Sequence, residues 1–231
     1  QITFKETSST QESRNKSKIK KSIFKNYKMI ILNTKFLTYC YVTSLTWAGM
    51  GVYYMFLPFI IVNELHQNTI IFGWISFGMV ISGVLGRIVN IFFISKRFTL
   101  EKTTIVFCSL AIFSSAILLL TLISSDQSSI IIIICSSMLF GFSSSIAAIA
   151  GSTVALNIFD KSLSATATAV YGLTLDLVVA STLAIAPLLA TKITMMALML
   201  IGLSGSVFML LFLNQRSEKH LTLYKKTTDS K

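Results

Sequence analysis

The chain has 231 residues, 53% of them hydrophobic and only 13% charged, with a mean hydropathy of +0.73. A water-soluble domain carries roughly 25% charged residues, so an ordinary soluble enzyme is excluded, as are a disordered chain and a disulfide-stapled secreted domain. The net charge of +11 points to a polyanion only if the basic residues face one, and their placement along the chain argues otherwise.

About 35 hydrophilic residues precede the first apolar run, and the chain opens on Gln1. That order is unlike a signal peptide and suits a cytoplasmic loop or linker over 1–35, or a chain cut from something longer. Within it, Ile19 to Lys28 alternates basic and apolar positions at helical spacing. Such a segment either lies in a bilayer interface against anionic lipid or serves as a solvated linker.

Six long, nearly uncharged runs follow: Phe36–Val62, Ile70–Ile94, Ile105–Ile123, Ile130–Ala150, Ala165–Ala190 and Thr194–Leu213. A helix rising 1.5 Å per residue crosses a hydrocarbon core of about 30 Å in about 20 residues. Lipid offers the backbone no hydrogen-bond partners, so each run is expected to be helical. The alternation of barrel strands is absent. The expected fold is an all-α polytopic membrane protein: a six-helix bundle over 36–213, with a basic tail over 214–231.

Eighteen of the 20 Lys and Arg residues fall before the first span, in the loops after the second and fourth, or in the tail. On the other side only Lys192 remains, and Arg87 lies inside a span. Basic loops stay cytoplasmic, so both termini are expected inside. Topology accounts for the charge, and nucleic acid is not an expected partner; the bilayer is.

Cys40, Cys108 and Cys135 all fall in spans, odd in number and without metal-ligand spacing, and read as packing residues. His66 and His220 lie outside the spans and form no dyad. No phosphate loop, dinucleotide fingerprint or nucleophile elbow occurs. No catalytic residue, metal or cofactor is expected, and the chain is not read as an enzyme.

Three stretches carry a resemblance. Phe4-Lys5-Glu6-Thr7, Phe56-Leu57-Pro58-Phe59-Ile60 with Phe72-Gly73, and Ala165-Thr166-Ala167-Thr168-Ala169-Val170-Tyr171-Gly172 occur in that order on the six-span map. Together they resemble the C-terminal half of major facilitator superfamily transporters, most closely the Bcr/CflA-type drug:proton antiporters. The first has Lys where the family signature has Pro, and the third opens on Ala rather than Gly. The resemblance implies helices seven to twelve, arranged as two inverted triplets, Phe36–Ile123 and Ile130–Leu213. It also implies a substrate site near the midplane, shared with a missing N-terminal six-helix half, and residence in a bacterial inner membrane. The activity implied is proton-coupled efflux of small hydrophobic or cationic compounds by alternating access. The alternative is a non-transporting scaffold or remnant, or a half that assembles with a separately encoded partner.

Two ionisable residues lie within spans. Arg87 is expected about 10 Å from the cytoplasmic end of its helix, and Asp176 about 16 Å deep. Each costs roughly 2.5–3.5 kcal/mol at a helix centre, which a watery cavity or a partner offsets. Asp176 reads as a proton or cation relay, as an ion-pair or hydrogen-bond partner of Arg87 or of a group in the missing half, or as a crevice-facing residue without a role. Arg87 either pairs or snorkels toward headgroups.

Tyr39, Thr43, Trp47, Met50 and Tyr54 recur at intervals of three or four and share one face of the first span. They are substrate-cavity candidates, suited to greasy cations through cation–π contact, or a packing stripe. The rows Ser137, Gly141, Ser145 and Ser143, Ala147, Gly151, with Ser82 and Gly86, read as small-residue contacts that let helices approach. Pro58 and Pro187 mark outer helix ends.

Overall fold

The computed structural model describes residues 25–64, 66–124, 129–188 and 200–212. The Phe4–Thr7 stretch, residues 19–24, Lys192, the start of the last apolar run and the tail with His220 lie outside the described residues.

All regular structure among the described residues is helical. A short helix α1 spans 25–31. It is followed by α2 (Thr34–Phe59), α3 (Thr69–Val89), α4 (Leu100–Ser124), α5 (Ser129–Leu156), α6 (Ser164–Ile185) and α7 (Leu200–Phe212). With their continuations, five are long and apolar enough to cross a membrane; the described part of α7 is shorter. Each apolar run of the sequence falls on one of these helices.

Apart from α4 with α5, the broad pairings are not sequential. α5 packs most broadly on α4 and α3, whereas α2 packs on α6 and α5 and touches α3 only slightly. α7 lies against α2: the Leu45 side chain reaches the Gly202 position, and Val207 and Leu210 join the core around Phe36, Tyr39 and Val42. The first helix of each triplet therefore packs on the second and third helices of the other. α5 is the centre, with 56% of its most apolar stretch inside the bundle, against 6% for α6.

Small residues set how closely α3 and α5 approach. A Cβ on Gly141 would stand 2.5 Å from the Met79 carbonyl oxygen and 2.8 Å from Ser82 Oγ. One on Gly86 would stand 2.7 Å from the Phe142 carbonyl. The backbones are in contact, which is how apolar helices associate where no hydrophobic force separates them from lipid. The serine and glycine rows are thus packing surfaces.

Buried hydroxyls are made cheap by local bonding. Thr38, Ser44 and Thr46 donate to the carbonyls of Thr34, Cys40 and Val42, one turn back, at 2.7–2.9 Å. These three hydroxyl protons are paired within their own helix, so their side chains sit in an apolar interior at little cost. The outside is as greasy as the inside: Trp74, Phe77, Phe93, Phe113 and Phe208 are all more than half exposed. A contiguous apolar surface of this kind requires lipid or a partner to cover it.

Two helices finish in wider π turns, Ile60–Glu64 after α2 and Asn90–Ile94 after α3. Pro58, inside the last turns of α2, cannot donate to the Tyr54 carbonyl, and the π turn begins two residues on. It closes with Gln67 N–H donating to the Ile61 carbonyl at 2.9 Å, while His66 takes a left-handed φ of 50°. That is the conformation a glycine ordinarily supplies after a helix. Replacing His66 with glycine is expected to raise stability by about 1 kcal/mol, read as an upward shift in the unfolding midpoint on detergent titration.

Candidate functional site

Asp176 lies on α6, twelve residues after Ser164 and nine before Ile185, about 18 Å and 14 Å from the helix ends. It is exposed, and so are Ala165, Ala169, Leu173, Ala180 and Ala184, which recur at spacings of three or four and form one face with it. A Cβ on Gly172, one turn before Asp176, meets nothing within 4 Å. The carboxylate is therefore centred on an open, mostly small-residue face of the least covered helix.

Arg87 is also exposed, on α3 beside Val84, Ile88 and Ile91. The residues of α3 that meet α5 are Gly83 and Gly86. Arg87 and Asp176 do not pair, and the ion pairing described for the chain is Lys35 Nζ with Glu101 Oε1 at 2.6 Å, joining the starts of α2 and α4. Among the described residues neither Arg87 nor Asp176 has an ion-pair or hydrogen-bond partner.

The stripe along α2 divides. Tyr39 and Thr43 are buried, 1% exposed each, and Thr43 Oγ1 donates to the carbonyls of Tyr39 and Cys40 at 2.9 and 3.0 Å. Thr43 also abuts α5, its methyl 2.5 Å from where a Gly151 Cβ would lie. Trp47 is 39% exposed on the bundle surface. Met50 and Tyr54 are partly buried against a second core cluster built on Tyr53, Leu57, Met79 and Phe140. Five residues on one face of a helix therefore meet three surroundings, because different neighbours cover the helix along its length.

Several polar features escape the sequence patterns. The Tyr53 hydroxyl is hydrogen-bonded to the Ser137 hydroxyl across α2 and α5, and Ser137 donates to the Ile133 carbonyl. Tyr53 also stacks obliquely on Phe140, with ring centroids 6.0 Å apart. The Tyr39 hydroxyl, Ser76 Oγ and Asn90 Oδ1 are buried without a hydrogen-bond partner among the described residues. Asn90 opens the π turn of α3, so its backbone irregularity and its unpaired acceptor coincide.

The Tyr53–Ser137 pair is asymmetric. Tyr53→Phe leaves Ser137 its carbonyl acceptor and is expected to cost about 0.6 kcal/mol, the average for such bonds in membranes. Ser137→Ala strands a phenol that is 4% exposed and should cost about 1–3 kcal/mol. A double-mutant cycle on unfolding midpoints measures the difference, and equal costs would contradict it.

The chemistry these residues offer is limited and specific. They comprise one mid-helix carboxylate on an uncovered face, one exposed guanidinium on a different helix, and an aromatic-rich α2 that is mostly core. No group of three metal-ligating side chains occurs among the described residues. No protein-family model, curated protein or solved structure matches the chain.

Proposed function

We propose that the chain is the C-terminal six-helix half of a secondary transporter of the major facilitator type, closest to the Bcr/CflA antiporters. In this reading it exports small hydrophobic or cationic compounds in exchange for protons, by alternating access against an N-terminal six-helix half. It sits in a bacterial inner membrane with both termini cytoplasmic. Three motif stretches support it, and so does the exchanged pairing of the two helix triplets. Two inverted repeats whose helices interlock are the pattern expected of such folds.

The observation that carries the proposal is Asp176, a carboxylate near the middle of an apolar helix, without a partner and on an exposed face among the described residues. An ionisable group at that depth persists where it faces water or a partner. In the assembled transporter Asp176 faces the other half and takes up a proton from one side and releases it to the other. Trp47 and Tyr54, the exposed and half-buried aromatics of α2, are the members of the stripe available to a greasy cation; Tyr39 and Thr43 act as packing.

The test is reconstitution with the N-terminal half in proteoliposomes. Asp176→Asn is expected to reduce efflux driven by a pH gradient at least about tenfold, while Asp176→Glu keeps a measurable fraction. Unchanged proton-driven efflux in Asp176→Asn removes the relay. The same uncovered face favours assembly with a separately encoded partner, and co-purification of a second six-helix protein distinguishes that arrangement from one continuous chain.

A further inference from the structure

We infer that a groove between α2, α6 and α7 holds an acyl chain of an anionic phospholipid whose headgroup rests on the lysines of α1. The inference depends on a membrane location and not on transport. The groove has a volume of about 530 Å³ and is walled by Leu37, Tyr41, Ile201, Gly202, Gly205 and Met209. That is within the range of roughly 300–1,000 Å³ typical of ligand sites.

Its chemistry selects an alkyl occupant. Three of the five hydroxyls on its walls have already given their protons away, Thr38 to the Thr34 carbonyl, Thr174 to that of Val170 and Ser206 to that of Gly202, each at 2.8 Å, which leaves those of Thr34 and Tyr41. A polar ligand would find few groups to orient it there. Glycines keep the groove open. A Cβ on Gly205 meets nothing within 4 Å, and one on Gly202 meets only the Leu45 side chain, at 3.7 Å.

Its rim selects the charge. Thr34, at the groove edge, is separated from α1 by two residues, with Asn33 Oδ1 accepting from the Phe36 N–H at 2.9 Å to start α2. α1 is fixed to the bundle by Ile30, fully buried in the core that contains Phe36. Around that anchor, Lys25 and Lys28 are exposed alongside Tyr27, Met29, Ile31 and Leu32. Exposed apolar and cationic groups interleaved on one short helix fit the headgroup boundary. Lys35 is engaged by Glu101, which leaves Lys25 and Lys28 for a phosphate. No acidic residue occurs between Lys25 and Lys35 to compete for them.

Native mass spectrometry of the full chain, purified in mild detergent and equilibrated with dioleoylphosphatidylglycerol or dioleoylphosphatidylcholine, tests this. The wild type is expected to retain one phosphatidylglycerol with a preference on the order of tenfold over phosphatidylcholine, as two lysines at an anionic surface would set. Gly205→Phe, at a position where a Cβ meets nothing within 4 Å, places a ring in the groove and should abolish retention while the protein still elutes as wild type. Lys25→Gln with Lys28→Gln leaves the groove untouched and should keep the lipid but remove the headgroup preference. The inference is overturned if the wild type retains neither lipid, as when the chain's own tail or a transported compound fills the groove. Retention unaffected by Gly205→Phe, or a preference unaffected by the lysine substitutions, overturns it equally. Should Gly205→Phe misfold, the lysine pair decides alone.

Discussion

Valine in place of Gly141 is expected to separate α3 from α5 and leave little folded protein. The position has no room even for one carbon, since a Cβ would meet the Met79 carbonyl at 2.5 Å, the Met79 side chain at 2.8 Å and Ser82 Oγ at 2.8 Å. A carbonyl belonging to a helix backbone does not move aside as a side-chain tip does, so the whole of α3 must retreat. Overpacking a dense core costs about 1–3 kcal/mol and occasionally more; the two further methyls of valine take it to the upper end or past it, a large share of the 5–15 kcal/mol of a typical protein. Alanine at Gly141 should already cost about 1–3 kcal/mol. Gly73→Ala and Gly172→Ala are the controls. Neither Cβ meets anything within 4 Å, and removing a helix-interior glycine there should raise stability by about 0.5–1 kcal/mol. Unfolding midpoints of the four variants check the order, and a stable Gly141→Val would mean that the helices are not in backbone contact.

Leucine in place of Asp176 is expected to ease membrane insertion of α6 by about 3–4 kcal/mol. Near a helix centre aspartate costs roughly 2.5–3.5 kcal/mol and leucine returns about 0.3–0.6. Among the described residues nothing offsets the carboxylate, because α6 is the least covered of the five long helices and Asp176 has no partner there. A glycosylation-reporter assay on isolated α6 measures the change directly. A shift below about 1 kcal/mol would show that the carboxylate reaches water, and the mid-bilayer depth would then be wrong. The substitution raises insertion while it removes the one group that the proposed relay needs, so insertion and transport should move in opposite directions.

The helices were legible because their signal is one of solvent. A bilayer demands long apolar runs and closed backbone hydrogen bonding, and both leave a mark that survives without knowledge of neighbours. That small residues mark close helix approach was legible too, since Ser82, Gly86, Gly141 and Ser145 recur at the required spacing, but which helices they join was not. Which face of α2 turns inward was not. Apolar residues surround that helix on all sides, so periodicity does not separate core from lipid. The stripe through Tyr54 missed Tyr53, whose hydroxyl makes the bond to Ser137. The π turn at Asn90 and the left-handed His66 were equally hidden, for neither follows from residue type; His66 occupies a place where glycine would have announced a helix end. Asp176 and Arg87 stood out as charges in apolar runs, but pairing depends on which helices adjoin, and α3 and α6 do not adjoin broadly.

Interlocked triplets carry a cost in time. The start of α2 leaves the ribosome about 130 residues before that of α6, on which it packs. At about 5–20 residues per second, α2 waits on the order of ten seconds for that surface. α3 and α4 likewise wait for α5. A nascent chain stopped after Ser124 would hold three helices whose broadest contacts are all still unmade, and the cell's insertion and quality-control machinery has to shelter it until translation ends.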